Sequence, residues 1–198
     1  MGSPYLLEPE INLDGTNIIL TTGVMGAGKT AALINAVEQL EKKGPNNYLI
    51  IKPEVDTRDE GVRSRDGRTR PCTPIGTQEE LVRVISLSGG IDCLLVDEAQ
   101  FFSPDFIKLI CLEANLHNIP NVAFYSLKTD YLDNTFEAWK EIAKYANRMY
   151  ELQHTCEMCG NQNAVHNMRI SGGDSLIEVG TDNYRAVCSV CWSKEKRV

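Results

Sequence analysis

Up to about residue 152, apolar and polar positions alternate between short strand-like runs and amphipathic helical stretches. Residues 17–22 (NIILTT) form an apolar, β-branched run of the kind buried in a sheet. From residue 29 to 43, Leu33, Ile34, Val37 and Leu40 recur at helical spacing, and Gly44-Pro45 stops the helix. YLIIK (48–52) predicts a second strand. Residues 53–76 carry no usable periodicity, mix arginines with acidic side chains and read as one long loop, a form that lids and binding loops often take. Thr77 followed by Glu80 has capping-box form and opens a helix to about Ser88, ended by Gly89-Gly90. CLLV (93–96) predicts a buried strand ending in Asp97-Glu98. Ser103-Pro104-Asp105 places an N-cap before a proline suited to a first helical turn, and the helix should run to about His117. VAFYSL (122–127) predicts a fourth strand, and residues 136–146 a further helix. Beyond Leu152 the pattern turns to short polar runs, glycines and cysteines, which divides the chain into units 1–152 and 153–198. The first unit therefore reads as α/β with a mainly parallel sheet. Ligands in such sheets bind beyond the carboxyl ends of the strands.

Composition narrows the classes. The chain has 198 residues, enough for one ordinary domain with an appendage, and 42% hydrophobic residues, enough for a core. A net charge of −7 and a pI near 5.0 argue against a protein that coats nucleic acid or an anionic membrane. No apolar stretch approaches the ~20 residues a membrane span needs. The N-terminus MGSPYLLEPE lacks the basic start and apolar run of a signal peptide, so the expected compartment is the cytoplasm. Of the seven cysteines, Cys72, Cys93 and Cys111 are scattered and read as core or incidental. The other four form two pairs, which in a reducing compartment point to metal before disulfide.

The candidate chemistry lies where the first and third predicted strands end and where the cysteine pairs fall. GVMGAGKT (23–30) matches the phosphate-binding loop G-x-x-x-x-G-K-[ST] between a predicted strand and a predicted helix. In such a loop, residues Gly23, Val24, Met25, Gly26, Ala27 and Gly28 turn backbone N–H groups toward an anion. Lys29 reaches the β- and γ-phosphates, and the Thr30 hydroxyl binds Mg²⁺. CLLVDEAQFF (93–102) has the form of a Walker B segment, in which Asp97 holds the metal and Glu98 can take a proton from an attacking oxygen. Cys156-x-x-Cys159 and Cys188-x-x-Cys191 form a four-thiolate set of zinc-ribbon type, with a separation between the pairs longer than the commonest one. Two disulfides or a redox pair are the competing readings of these cysteines.

Taken together, GVMGAGKT, Lys52 with Asp56-Thr57-Arg58, VDEAQFF, LKTDY (127–131) and the two cysteine pairs occur in the order found in type II thymidine kinases, which this chain resembles from about residue 17 to 191. The resemblance implies a P-loop, RecA-like sheet with a small zinc-binding lasso domain. It implies transfer of the γ-phosphoryl group of ATP to the 5′-hydroxyl of thymidine, with Mg²⁺ and a structural zinc. Glu98 would be the general base, Lys29 and Arg58 would stabilise the transferring phosphate, and Gln100 would join the nucleotide-binding residues. The nucleoside pocket would be walled by Met25, Phe101, Leu127, Tyr131 and Phe136, with Tyr131 replacing a more usual phenylalanine. A lasso between the cysteine pairs would close it, through Ile177, Glu178, Val179, Gly180 and Tyr184. A homotetramer and feedback inhibition by dTTP are implied in the same way. The chain departs from the family pattern at Gly26, where a bulkier residue or Asn is common, and in IEVGTDNY (177–184), which is one glycine short.

One reading from another class competes: a nucleic-acid-dependent P-loop ATPase whose zinc ribbon binds DNA or RNA. Residues 151–198 carry more acidic than basic side chains, a poor footprint for a phosphate backbone, and the chain has no room for a second helicase-type domain.

Overall fold

The computed structural model describes residues 13, 15–44, 47–56, 61–160, 163–171 and 183–195. Among these the chain runs β1 (Asn17–Thr22), α1 (Lys29–Glu41), β2 (Tyr48–Pro53), β3 (Gly61–Arg63), β4 (Thr69–Pro71), β5 (Thr73–Ile75), α2 (Gln78–Ser88) and β6 (Cys93–Val96). A single 3-10 turn at Ala99–Phe101 follows. Then come α3 (Pro104–Leu116), β7 (Asn121–Ser126), α4 (Glu137–Tyr145), β8 (Arg148–Glu151), β9 (His166–Arg169), β10 (Tyr184–Val187) and α5 (Ser189–Glu195).

Six strands form one parallel sheet in the order β5-β2-β6-β7-β1-β8. Its central strands are apolar on both faces because helices cover both. Period-two alternation sorts them: Ile18, Leu20, Leu94, Val96, Val122 and Phe124 face α2, α3 and α4, where Leu81, Ile107, Ile110 and Ile142 are fully buried. Ile50, Leu95, Ala123 and Tyr125 face α1 through Leu33, Ile34 and Val37. The predicted caps are present. Thr77 and Glu80 make both bonds of a capping box, and the Ser103 hydroxyl accepts the Phe106 N–H at 3.2 Å ahead of Pro104. Each such cap stabilises its helix by about 1 kcal/mol.

Two parts differ from the sequence expectation. Residues 53–76 are not one loop: β3 and β4 pair as an antiparallel hairpin, and β5 adds to the edge of the main sheet beside β2. These strands are three residues long, and polar side chains alternate along β4, so no apolar period marks them. The hairpin is instead pinned to α1 by charge, with Arg68 at 3.1 Å from Glu38 and Arg70 at 3.1 Å from Glu41. Strand β8 also went unread, because all four of its residues are exposed at the sheet edge and leave no hydrophobic signal. After β8, the antiparallel pair β9–β10 and α5 gather around the four paired cysteines.

Candidate active site

The loop between β1 and α1 emerges at the carboxyl end of a central strand. Gly28 enters the helix at φ 88°, a left-handed conformation that side chains other than glycine rarely adopt. Gly23 sits so close to the chain leaving β8 that a Cβ there would stand 3.0 Å from the Leu152 carbonyl oxygen. The Lys29 ammonium folds over the loop and donates to the Gly23 and Val24 carbonyls at 3.0 and 2.9 Å. That places a buried cation at the mouth of the loop.

The acidic pair follows β6, two strands away in the sheet. Asp97 is buried, and its Oδ2 accepts the Thr30 hydroxyl at 3.2 Å. Burial, and then the neighbouring Glu98 charge, push its carboxyl up to about 7. A hydroxyl and a buried carboxylate that resists ionisation form a donor set suited to a hard dication, which would supply the missing positive charge. Glu98 adopts φ 49°, a strained conformation for a residue with a side chain. Its carboxylate accepts a short hydrogen bond of 2.5 Å from the Gln100 amide. The other end of that amide accepts the Leu127 N–H at 3.0 Å. Gln100, expected among the nucleotide-binding residues, is thus buried as a strut between Glu98 and the start of the β7–α4 loop.

Around this centre stand the aromatic candidates. Phe101 and Phe136 meet edge to face with centroids 6.5 Å apart. Tyr131 and Tyr184 lie 6.4 Å apart, and the Arg169 guanidinium stands 4.9 Å from one ring centroid and 5.8 Å from the other. Leu127 is tied to Gln100, and the Met25 N–H is held at 2.8 Å by the Asn167 side chain. Asn167 and Arg169 both belong to β9, so one strand ties Met25 to Tyr131 and Tyr184. Arg58, Ile177, Glu178, Val179 and Gly180 lie outside the described residues.

None of the seven cysteines forms a disulfide, and the Sγ atoms of Cys156, Cys159, Cys188 and Cys191 lie within 4.8 Å of one another. Cys159 and Cys188 are 3.7 Å apart, close to the ~3.8 Å that a tetrahedron with ~2.3 Å zinc–sulfur bonds requires. Burial opposes ionisation of Cys156, but backbone N–H groups of Cys188, Cys159 and Met158 outweigh it and bring the thiol down to about 6. Such N–H···S donors stabilise a thiolate ligand, so the set fits a closed four-sulfur site.

A family model described as thymidine kinase matches residues 16–192. The chain belongs to the thymidine kinase family. The thymidine kinase of Encephalitozoon cuniculi is 33% identical over 184 residues, covering 88% of this chain and 85% of the relative. That of Enterobacteria phage T4 is 28% identical over 188 residues, covering 90% and 96%. That of Listeria monocytogenes serovar 1/2a is 27% identical over 179 residues, covering 85% and 92%. Among solved structures, the Pif1 helicase from Candida albicans aligns with 71% of this chain and 36% of its own at 18% identity and a TM-score of 0.44.

For this thymidine kinase family member, sequence reasoning missed one residue at the loop entirely. Asn167 is 3% exposed; its Oδ1 accepts the Met25 N–H and its Nδ2 donates to the Thr129 carbonyl at 3.0 Å. No local pattern marks it. Lys52 and Asp56, which belong to the family pattern, form a buried ion pair at 3.7 Å at the end of β2.

Proposed function

We propose that the protein transfers the γ-phosphoryl group of ATP to the 5′-hydroxyl of thymidine, giving dTMP and ADP. The observation that carries this reading is the Thr30–Asp97–Glu98–Gln100–Leu127 chain of contacts, which connects the phosphate loop to the aromatic neighbourhood through the acidic pair. In the proposed reaction Lys29 turns from the loop carbonyls to the β- and γ-phosphates, and backbone N–H groups of the loop surround them, apart from those of Met25 and Ala27, which bond Asn167 and the Val24 carbonyl. Thr30 and Asp97 would hold Mg²⁺, which would supply positive charge to offset that of the phosphates. Glu98 accepts the proton of the 5′-hydroxyl as its oxygen bonds to the γ-phosphorus and the bond to the ADP oxygen breaks. Phe101, Phe136, Tyr131 and Tyr184 enclose the nucleoside and exclude water.

Beyond this, the four thiols would hold a structural zinc, since four protein ligands leave no open position for chemistry. A homotetramer, inhibition by dTTP and a cytoplasmic location belong to the same proposal. Among the described residues no helix is long and apolar enough to cross a membrane. The test is ADP release with each common deoxynucleoside in turn. Release that depends on thymidine supports the reading; equal use of deoxycytidine, or release that depends on single-stranded DNA instead, overturns it.

A further inference from the structure

The tip of the β3–β4 hairpin lies over the phosphate loop. A Cβ added to Gly26 would stand 2.8 and 3.0 Å from the two terminal nitrogens of Arg65 and 3.1 Å from its Cζ. Both terminal nitrogens stand nearer than Cζ, so the guanidinium meets the loop with its two-nitrogen edge leading. The contact exists because residue 26 has no side chain. Gly26 also adopts φ 76°, so the sequence departure at this position satisfies both a backbone and a space requirement.

The hairpin that presents Arg65 is built to hold still. The turn is closed by the Gly67 N–H on the Ser64 carbonyl at 3.0 Å, and the Ser64 hydroxyl bonds to Asp66. Arg68 donates to Asp66 at 2.7 Å, to Asn35 at 2.7 Å and to Glu38 at 3.1 Å. Val62 is 2% exposed against the α1 side of the core. Arg68 and Arg70 are spent on these carboxylates, whereas among the described residues Arg65 makes no ion pair. An anchored hairpin thus sets an exposed guanidinium on the loop that would hold the phosphates in the reading above. A planar fork of five donors matches phosphate oxygens better than any other side chain.

We propose that Arg65 is a phosphate-binding residue, reaching across Gly26 to the β- and γ-phosphate oxygens of the nucleotide, and that Gly26 is the residue that admits it. The proposal rests on the phosphate-loop reading above. It also explains a hairpin whose only other visible task is to cover one end of α1.

The full chain should be compared with Arg65→Gln, Arg65→Lys, Gly26→Ala, Lys29→Ala and the double variant Gly26→Ala/Arg65→Gln, by equilibrium binding of ATP and AMP and by steady-state kinetics. A hydrogen-bonded charge is lost in Arg65→Gln, so ATP affinity and kcat/KM for ATP should fall about 10- to 100-fold. AMP binding and the KM for thymidine should stay within about twofold, and Arg65→Lys should recover part of the loss. Gly26→Ala should weaken ATP on its own, and the double variant should lose less than the sum of the two single losses, because the Arg65 contact is removed once and only the loop strain at φ 76° adds. ATP affinity of Arg65→Gln within twofold of wild type overturns the proposal, as does a parallel loss of thymidine affinity, which would make the hairpin merely structural. If Lys29→Ala loses ATP while Arg65→Gln does not, Arg65 alone is refuted. If neither loses ATP, the phosphate-loop reading falls with it.

Discussion

Replacing Gln100 with leucine separates what the strut does for the fold from what it does for Glu98. The side chain is 4% exposed and fully engaged, accepting the Leu127 N–H and donating to the Glu98 carboxylate. Leucine fills similar space but leaves the Leu127 N–H buried without its acceptor, at a cost of about 1–3 kcal/mol. For a chain of this size that corresponds to a fall in Tm of about 2–12 °C. The second loss is kinetic. Glu98 already holds a strained backbone at φ 49°, and without the amide its carboxylate loses the hydrogen bond that aims it. Misplacement of a reacting group by ~1 Å costs on the order of 10²-fold, so kcat should drop by about that factor while ATP affinity is retained. Gln100→Glu divides the two effects: it keeps an acceptor for Leu127 but sets a second carboxylate against Glu98. Its Tm should fall less than that of Gln100→Leu. Two carboxylates sharing a site hold a proton more tightly, so the acidic limb of its kcat/KM profile should move to higher pH. Thermal unfolding and a thymidine-dependent ADP assay measure both. An unchanged Tm for Gln100→Leu would refute the hydrogen-bond argument, and a kcat within threefold of wild type would reduce Gln100 to a structural residue.

Glu98→Gln keeps size and hydrogen bonding but loses basicity, so kcat should fall ~10²–10⁴-fold with ATP affinity kept, and activity within threefold of wild type would refute the assignment. Metal analysis of protein purified without chelator should find about one zinc per chain from the four-ligand count, and Cys156→Ala should lose it; two disulfides in freshly purified protein would contradict the site. Asp97 should make stability depend on pH: its folded carboxyl titrates near 7 against an ordinary 3.8, so between those values the folded state holds more protons and stability falls as pH rises. Saturating Mg²⁺ and Asp97→Asn should each flatten that slope in urea titrations, and a slope that survives both would assign the effect elsewhere.

What the sequence revealed is what local chemistry dictates. GVMGAGKT and Asp97-Glu98 were legible because each requirement, a glycine turn or an acid after an apolar strand, is written in consecutive residues. The caps at Thr77 and Ser103 were legible for the same reason, since the bonds close within one turn. The hairpin β3–β4 was not. Its strands are held to α1 by Arg68 and Arg70 meeting Glu38 and Glu41, and such pairing leaves arginines and acids that look like a solvated loop. Gln100 lies within the acidic motif, yet its partner Leu127 is 27 residues away and invisible to any window. Asn167 is the extreme case, reaching Met25 across a separation of 142 residues.

The same residue explains why a distant cysteine cluster matters to phosphate chemistry. In β9, successive side chains point to opposite faces. His166 stacks on Trp192 at 5.0 Å, and Met168 packs into the apolar cluster that contains Cys156, Cys188 and Cys191. On the other face, Asn167 bonds Met25 of the phosphate loop and Thr129, and Arg169 lies over Tyr131 and Tyr184. Four residues of strand therefore have one side in the thiol cluster and the other in the candidate site. Val24 and Ala27 of the phosphate loop add their side chains to the same apolar cluster. Shifting β9 by one position would turn Asn167 toward the thiols and Met168 toward the loop, breaking both faces at once. The register of β9 on β10 is fixed next to Cys188, which follows Val187 directly, so whatever holds the thiols together also sets where the Met25 N–H is held. A metal there would need no reacting group within reach to affect catalysis: it would act through the position of one strand.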